Sequence, residues 1–521
     1  MCNSKNSRSP GAPRSGGIWP FTALAATALS LAAGTARAQS PPGAYLMFEG
    51  YYPTFVNDGN LSNPDEWVFP VTGTPNAAVP GAGDDAIVEN TGAGLTNVPN
   101  DTVTGSLDCW GAGFSTTTVP LYIEASVSTG AGGLGISGDA YGPSATYLQT
   151  AATTTGAVAT LAAVNIDAKL TAGAYMYVGG YTQVFGTSVG SNGLIVVGAS
   201  ELDLNSSTLT TGQVGTIPPG STGADFYSAT TALQVEASTV NINGGTLTCA
   251  GDAVIGTVAA QPGFPDIGVV GVNSGGSLST SGITRLGVIN PNGSSGPPLQ
   301  GLAGTGDVFV NGSGSVWHAQ QDVLVGADNG GDGFIYIQNG GELQLAAGAN
   351  LRLGSSAGGF GVINFDGTGS SPILLSSSSS TIFVGDQSYG TLNVQNGAAI
   401  TQAGPLIAGN MAGSTGAISI AGANTSLSTD GVVTIGNNGT ATATIQNSGV
   451  FNASNMLIIG SSSIGTVTVQ GGGMLQVFGN SIDLGQTANG TGNLTFDGTG
   501  GSPILTFTSQ GQMIIGDLGT G

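Results

Sequence analysis

Short segments in which apolar and polar residues alternate recur along the second half of the chain. In each, the residue before Gln is Ile or Val, the residue two positions earlier is apolar, and most outward positions are Thr or Asn. Alternation with period two predicts a half-buried strand, and the Asn and Gly that follow suit the positive φ of a sharp corner. Four segments align on this motif: 334–341 (FIYIQNGG), 391–398 (TLNVQNGA), 442–449 (TATIQNSG) and 466–473 (TVTVQGGG).

A second motif, an apolar pair followed by Gly, has the spacing of a repeat protein. Its glycines lie 24 to 39 residues apart, and spacings of 20 to 50 residues are typical of solenoids. Because no helical pattern lies between them, we predict an all-β fold, a right-handed parallel β-helix of about 15 coils and about 70 Å. The glycines are Gly256, Gly287, Gly326, Gly354, Gly385, Gly409, Gly436, Gly460, Gly485 and Gly516.

A longer unit is duplicated within this array. FDGTGSSPIL at 365–374 returns as FDGTGGSPIL at 496–505, 131 residues later, so about five coils form a larger repeat. Phe365 and Phe496 are predicted to point inward, Asp-Gly to form the corner, and the following Pro to begin the next strand. Asn339 and Asn396 are expected to stack in an amide ladder along one edge.

Four segments divide the chain. Residues 1–38 read as a signal peptide, with basic residues, an apolar run and an A-x-A cleavage site at 36–38. Residues 39–125, rich in aromatics and prolines, are predicted to form an atypical N-terminal cap that covers the edge of the solenoid. Residues 126–300 read as irregular coils and 301–521 as regular repeats, with the 131-residue unit broken off at the C-terminus.

The charge balance is strongly acidic. Without residues 1–38 the chain keeps three cations, Lys169, Arg285 and Arg352, against 29 acids, a formal net charge of 3 − 29 = −26. Such a surface repels nucleic acid and anionic lipid headgroups. Cys109 and Cys249 would lie about five coils, roughly 25 Å, apart, which predicts two free, buried thiols rather than a disulfide.

Three stretches carry candidate chemistry, and each is better explained as structure. Asp84-Asp85 would face opposite sides of a strand, which favours a turn or cap role. The stretch 326–337 has Asp328 and Asp332 at calcium-loop positions but lacks two further ligands, which favours a turn. GTSVG at 186–190 matches a nucleophile elbow, but the only histidine, His318, is expected on a distant strand. We therefore assign no catalytic, cofactor-binding or metal-binding residue.

The aligned repeats resemble those of autotransporter passengers and related bacterial surface β-helix proteins. The resemblance rests on Val384-Gly385-Asp386-Gln387-Ser388-Tyr389-Gly390-Thr391-Leu392-Asn393-Val394-Gln395-Asn396-Gly397, and on Trp67 followed by Pro80-Gly81-Ala82-Gly83-Asp84-Asp85-Ala86. It implies export and a C-terminal membrane barrel or sorting tail. Neither is present, so we expect an anchor beyond residue 521.

These observations favour an exported cell-surface or secreted rod with an adhesive or matrix role, and surface glycans or matrix proteins as its partners. We expect no binding of nucleic acid and no insertion of the rod into a membrane. One alternative is a β-helical glycosidase or polysaccharide lyase. A lyase needs clustered cations, whereas a glycosidase needs only two carboxylates about 5 to 9.5 Å apart. Another alternative is a purely structural stalk.

Overall fold

The structure is a computed structural model of the 521-residue chain. It describes residues 164–197, 200–215, 227–257, 267–288, 304–328, 330–479, 481–507 and 511–521. Before residue 164 it describes ten strand segments: 45–48, 67–68, 75–76, 85–89, 103–110, 121–123, 127–137, 146–148, 152–154 and 158–161. These residues contain strands, turns and bends but no helix, and hence no helix long and apolar enough to cross a membrane.

Each coil contributes three strands to three faces, which we call the long, middle and short faces. The strands are numbered β1 to β49 in chain order. The long face is one 15-stranded parallel sheet. Its strands are β6 (Leu121–Ile123), β8 (Thr146–Leu148), β11 (Val164–Ile166), β14 (Tyr181–Phe185), β17 (Glu201–Asn205), β20 (Thr239–Asn243), β23 (Ile267–Asn273), β26 (Thr305–Asn311), β29 (Asp332–Gln338), β32 (Phe360–Asp366), β35 (Tyr389–Gln395), β38 (Thr415–Ala421), β41 (Thr440–Gln446), β44 (Ile464–Gln470) and β47 (Thr491–Asp497).

The middle face is a parallel ladder in two sections, because β33 and β36 are not paired. The first section holds β9 (Ala152–Thr154), β12 (Leu170–Ala172), β15 (Ser188–Ser191), β18 (Thr208–Thr211), β21 (Thr246–Cys249), β24 (Ser277–Thr280), β27 (Val316–Ala319), β30 (Glu342–Leu345) and β33 (Ile373–Leu375). The second holds β36 (Ala399–Gln402), β39 (Ser426–Thr429), β42 (Val450–Ala453), β45 (Met474–Val477) and β48 (Ile504–Phe507).

The short face is a continuous parallel ladder of 14 strands. They are β10 (Val158–Leu161), β13 (Met176–Val178), β16 (Leu194–Val196), β19 (Thr231–Glu236), β22 (Asp252–Thr257), β25 (Thr284–Val288), β28 (Val323–Val325), β31 (Leu351–Leu353), β34 (Ile382–Val384), β37 (Leu406–Ala408), β40 (Val433–Ile435), β43 (Leu457–Ile459), β46 (Ser481–Leu484) and β49 (Gln512–Ile515).

Six strands near the N-terminus join the middle and short faces. They are β1 (Tyr45–Phe48), β2 (Trp67–Val68), β3 (Pro75–Asn76), β4 (Asp85–Glu89), β5 (Val103–Trp110) and β7 (Val127–Ser137). The long strand β7 pairs with β9 through its first residues and with β10 through its last. Strand β2 pairs antiparallel with β1 and β3, whereas every other named pairing in the described residues is parallel. The boundaries of the four sequence segments stay predictions.

The core runs the length of the stack and consists of the inward side chains of all three faces. The aligned repeats place Ile337, Val394, Ile445 and Val469 in it, and all four are fully buried. The predicted corners are confirmed too, because Asn339, Asn396 and Asn447 have positive φ. The all-β parallel β-helix predicted from the repeats is therefore the observed architecture. With 15 strands about 4.8 Å apart, the long face extends for about 70 Å.

The recurring glycines mark the corner at the C-terminal end of the last ten short-face strands, β22 to β49. All ten have positive φ, and at Gly385 a Cβ atom would lie 2.3 Å from the backbone oxygen of Thr415 in the following coil. Glycine is required here because the corner is left-handed and the next coil passes directly over it. Gly354 and Gly485 occupy the same corner five coils apart, as the 131-residue repeat predicted.

Two detailed predictions are confirmed in part, and each departs from the prediction for a local reason. Phe365 is fully buried, and Phe496 occupies the same inward position opposite the buried Val469, but Phe496 is 39% exposed because β47 pairs with a long-face strand on one side only. Of the two predicted ladder residues, Asn339 donates to the amide of Asn311 (2.8 Å), whereas Asn396 donates to the carboxylate of Asp366 (3.0 Å).

Cys249 is a free, buried thiol, as predicted, and burial raises its pKa to about 12. Such a thiol stays protonated and unreactive at neutral pH. Cys109 lies in β5, and its side chain is outside the described residues.

Candidate functional site

The outward side chains of the long face form a surface that we call the outer long face. Register carries each outward position from one coil to the next, so the residues form columns parallel to the stack. Two columns run along its centre. The first column reads Glu201, Thr239, Val269, Asp307, Phe334, Val362, Thr391, and the second reads Asp203, Asn241, Gly271, Phe309, Tyr336, Asn364, Asn393.

An acidic network lies at the N-terminal end of these columns. Glu201 and Asp203 are two residues apart on β17 and therefore point to the same side. Asn241 on β20 donates from its Nδ2 to Glu201 Oε1 (2.8 Å) and to Asp203 Oδ1 (3.0 Å). Tyr181 and Gln183 on β14 donate to Asp203 Oδ2 at 2.9 and 3.3 Å. The network holds two carboxylates in fixed positions at the surface.

The environment of this network favours protonated groups. Burial, the neighbouring charge of Asp203 and a hydrogen bond between the two carboxyl groups raise the pKa of Glu201. Burial and the hydrogen bond to Asp203 raise the pKa of Tyr181 to about 12.

An aromatic stack occupies the middle of the outer long face. The rings of Phe309 on β26 and Tyr336 on β29 lie 4.6 Å apart and 6° from parallel. Phe334 lies beside Tyr336 on the same strand, with its ring 12° from parallel and 6.4 Å away. Phe360 on β32 completes the group edge-on to Phe334, at 5.9 Å. Aromatic rings gathered on an outward face are unusual, because burial is the normal use of such side chains.

Asp307 adjoins this stack. It lies on β26 two residues before Phe309 and directly opposite Phe334 of the next strand. Its Oδ1 atom is buried and has no hydrogen-bond partner in the described part of the chain. Burial raises the pKa of this carboxyl group to about 6, and the charge of Asp307 in turn contributes to a raised pKa of Tyr336. An unpaired, partly desolvated carboxylate is costly to keep.

The C-terminal part of the outer long face is rich in hydroxyl groups, and Asp497 at the end of β47 is its one carboxylate among the described residues. Thr442 and Thr444 on β41 pair with Thr466 and Thr468 on β44, and all four are outward and at least partly exposed. We call the outward residues of β38, β41, β44 and β47 the hydroxyl segment. Its hydroxyl residues are Thr415, Ser419, Thr440, Thr442, Thr444, Thr466, Thr468, Thr491 and Thr495.

The three cations retained after residue 38 lie away from this surface. Arg285 and Arg352 are on the short face, where Arg285 pairs with Asp252 (3.1 Å) and Arg352 bridges Asp322 and Asp386 (3.1 and 3.0 Å). Lys169 is exposed before β12 of the middle face. Within the described ranges, the outer long face therefore carries carboxylates and no cation.

The candidates from the sequence do not assemble into a site. The segment with Asp328 and Asp332 is a turn, in which the Gly331 amide donates to the Asp328 carbonyl (2.8 Å) before β29 begins. Ser188 of GTSVG and His318 lie on β15 and β27 of the middle face, four strands or about 19 Å apart. Asp84 and the side chain of Asp85 are outside the described residues. No group of three metal-ligating residues occurs among the described residues.

Sequence reasoning missed both the acidic network and the aromatic stack. The signal for the first was present, because Glu201 and Asp203 in ELDLN have the period-two spacing of one strand face. The stack could not be read in this way, because it depends on the register between β26 and β29.

The sequence matches no known protein family, and no curated protein is detectably similar to it. The function must therefore be argued from the surface itself.

Proposed function

We propose that this protein is an exported, passenger-like β-helical rod that binds glycans on its outer long face, in an adhesive or matrix role. The observation that carries the proposal is the outward stack of Phe309 and Tyr336, with Phe334 beside it. Sugar rings present flat C–H surfaces that pack on aromatic rings, while their hydroxyl groups need fixed polar partners.

The surroundings of the stack meet the second requirement. The acidic network precedes it along the columns, and Asn393 donates to Asn364 (2.7 Å) just beyond it. The hydroxyl segment then continues on the same sheet. A rigid parallel sheet holds these groups about 4.8 Å apart from coil to coil, so an extended polysaccharide can contact several coils at once.

Export and a surface location support this role and remain part of the proposal. They rest on the signal-like residues 1–38, on the acidic composition, and on the resemblance of the repeats to autotransporter passengers. A rod that projects from a cell or lies in a matrix would present the whole outer long face to its surroundings.

The alternative of a carbohydrate-active enzyme has less support. One described acid pair on the outer long face is Glu201 and Asp203, and the Nδ2 of Asn241 is bonded to an oxygen of each (2.8 and 3.0 Å). Asn241, Tyr181 and Gln183 also occupy the oxygens of this pair, which suits a structural role better than proton transfer.

The test is glycan binding by the whole secreted chain and by a variant without the stack. We expect the chain to bind a subset of immobilised polysaccharides, and Phe309→Thr combined with Tyr336→Thr to weaken that binding at least about tenfold. Threonine keeps the strand propensity and the outward position. Phe185→Thr is the matched control, because Phe185 is also aromatic, outward and 40% exposed but lies on β14, away from the stack.

Binding that survives the double substitution would contradict this use of the stack, and binding to no glycan would favour the structural stalk. Release of reducing ends from a bound polysaccharide would favour the enzyme instead.

A further inference from the structure

We propose that the outer long face contains a slot for a single amino-sugar unit of a cationic glycan, with Gly271 as its floor, Phe309 as one wall and Asp307 beside it. This inference rests on the proposed glycan-binding function and specifies its ligand.

The slot exists because one column position has no side chain. Gly271 on β23 lies between Asn241 on β20 and Phe309 on β26 in the second column. The strands on either side of Gly271 are two spacings, or about 9.6 Å, apart. A side chain is missing there on an otherwise continuous column, so the ends of Asn241 and Asn273 lie over Gly271 as the floor, and position 271 places no side chain between Asn241 and Phe309.

Phe309 turns a ring face toward this gap. Its ring is nearly parallel to that of Tyr336, and the 4.6 Å between them is close to the spacing of neighbouring strands. The two rings are therefore stacked along the direction in which the strands follow one another. One face of Phe309 is covered by Tyr336, and the opposite face lies on the side of Gly271, where a pyranose ring can pack on it.

Polar groups meet at the floor of the slot. A Cβ atom built on Gly271 would lie 3.0 Å from Asn241 Oδ1 and 2.9 Å from Asn273 Nδ2. An acceptor and a donor therefore converge on this point. The acceptor is held in place, because the Nδ2 of the same Asn241 amide is bonded to Glu201 and Asp203. A sugar with several hydroxyl groups can use both.

The charge around the slot selects a cation. Asp307 precedes Phe309 by two residues on the same strand, and its buried Oδ1 lacks a partner. The Glu201–Asp203 pair lies behind Asn241, and no Lys, Arg or His lies on the described part of this face. Because Oδ1 is buried, an ammonium group would contact Oδ2, where it would compensate the charge of the carboxylate and would also be attracted to the aromatic face. A uronic acid would be repelled.

A glycan fits these groups better than a lysine side chain does. A single ammonium on a flexible stem would use Asp307 alone and leave the two amides of Asn241 and Asn273 without a role. A β-linked glucosamine unit offers a ring for Phe309, hydroxyl groups for the amides and an amine for Asp307. Its neighbours in an extended chain would reach the adjoining coils.

The experiment compares four soluble probes by calorimetry with the full chain, in a buffer slightly above the pKa of about 6 of Asp307. The probes are an oligomer of β-1,4-linked glucosamine, its fully N-acetylated counterpart, oligogalacturonate and oligolysine. We expect the glucosamine oligomer to bind at least about tenfold more tightly than the other three, and added salt to weaken its binding.

Two variants test the slot, and one variant controls for charge. Asp307→Asn should reduce the preference for the amine over the N-acetylated oligomer about tenfold, and Gly271→Thr should weaken binding of both oligomers by filling the slot. The added side chain at 271 meets only the ends of Asn241 and Asn273, so the strand should still form. Asp366→Asn is the control, because this outward carboxylate is already bonded to Thr368, Gln395 and Asn396.

The outcomes separate the two proposals. Tighter binding of the acetylated or acidic oligomer, with no effect of Asp307→Asn, would overturn the amino-sugar slot and leave glycan binding intact. Binding of oligolysine alone would overturn both in favour of a cationic peptide. Binding of none of the four probes, together with no binding to any polysaccharide, would overturn both as well.

Discussion

At the scale of the residue, Asp307 differs from Asp366, another outward carboxylate of the same sheet. Asp366 on β32 accepts hydrogen bonds from Thr368, Gln395 and Asn396, and its pKa is lowered. Burial raises the pKa of the Asp307 carboxyl group to about 6, and its Oδ1 atom has no hydrogen-bond partner among the described residues. A group that costs stability and is nevertheless present at an outward sheet position is a candidate for function.

This cost gives a pH-dependent stability prediction. The folded pKa of Asp307, about 6, lies above the ordinary 3.8, so its contribution to stability is complete below pH 3.8 and is lost as the pH rises through 6. Asp307→Asn cannot ionise and avoids this loss. We expect it to stabilise the protein by about 1 kcal/mol at pH 8, a value reduced for the partial exposure of the group, and by nearly nothing at pH 3.5.

Urea unfolding of both proteins at the two pH values measures the difference. The groups that face Asp307 from β29 are Tyr336 and Asp332, and neither is positively charged, so no ion pair is lost in the variant. Asp366→Asn should show the opposite sign, with a loss of stability above the lowered pKa of Asp366. Equal stability of Asp307→Asn and the parent at pH 8 would contradict the assigned burial.

At the scale of the element, the two copies of FDGTG form a natural comparison. Phe365 and Phe496 are the second-last residues of equivalent long-face strands, β32 and β47, but Phe365 is 0% exposed and Phe496 is 39% exposed. We expect Phe365→Ala to lower the free energy of unfolding by about 3 to 5 kcal/mol and Phe496→Ala by about 1 kcal/mol. The measurement is the urea midpoint of unfolding of each variant. An unchanged m-value would show that a shift of the midpoint reports a change in stability.

Equal losses for the two substitutions would contradict the difference in packing. If either substitution destabilised only the last coils, urea unfolding would show a partial transition at low urea before the main one. This is because each coil of a solenoid contacts only its neighbours. The local turns should survive in both variants, since Thr368 and Thr499 donate to Asp366 and Asp497 in the same way.

The strands and corners were predictable from the sequence, because they repeat and because each obeys a local rule. The alternation of apolar and polar residues predicted that Ile337 and Val394 point inward, and the Asn-Gly pairs predicted the corners at Asn339 and Asn396. The outer surface was less predictable. Which outward residues become neighbours depends on register between coils, and the coils that hold Asn241, Gly271 and Phe309 differ in length.

The exposure of Phe496 has the same origin at a larger scale. Identical local sequence fixed the direction of the side chain in both copies but not the presence of a covering strand. Burial in a stacked fold is a property of pairs of coils, and a single coil's sequence does not contain it.

At the scale of the whole molecule, the 131-residue repeat predicts that the length of the rod is adjustable. Removing residues 354–484 joins Leu353 to Gly485 and deletes five coils, so β47 would pair with β29 in place of β32. We expect the shortened chain to fold and to lose about 24 Å in its long dimension, measured by small-angle X-ray scattering.

The slot lies outside the deleted residues, so binding of the glucosamine oligomer should be unchanged. The control is a deletion of 120 residues, which does not remove a whole number of coils. The corner glycines would then no longer follow short-face strands. Aggregation of the in-register variant, or a rod of unchanged length, would contradict the coil assignment.

The direction of the hydrogen bonds has a mechanical consequence. In every parallel ladder of this molecule the strands run across the stack, so the bonds between coils point along it. Tension applied between the two ends would load these bonds one coil at a time, as in opening a zipper, rather than all together in shear. Each opened coil of about 26 residues would release about 90 Å of slack chain. A glycan that spans several coils would connect them along the direction of the applied force. The bound ligand would therefore raise the force needed to separate the coils.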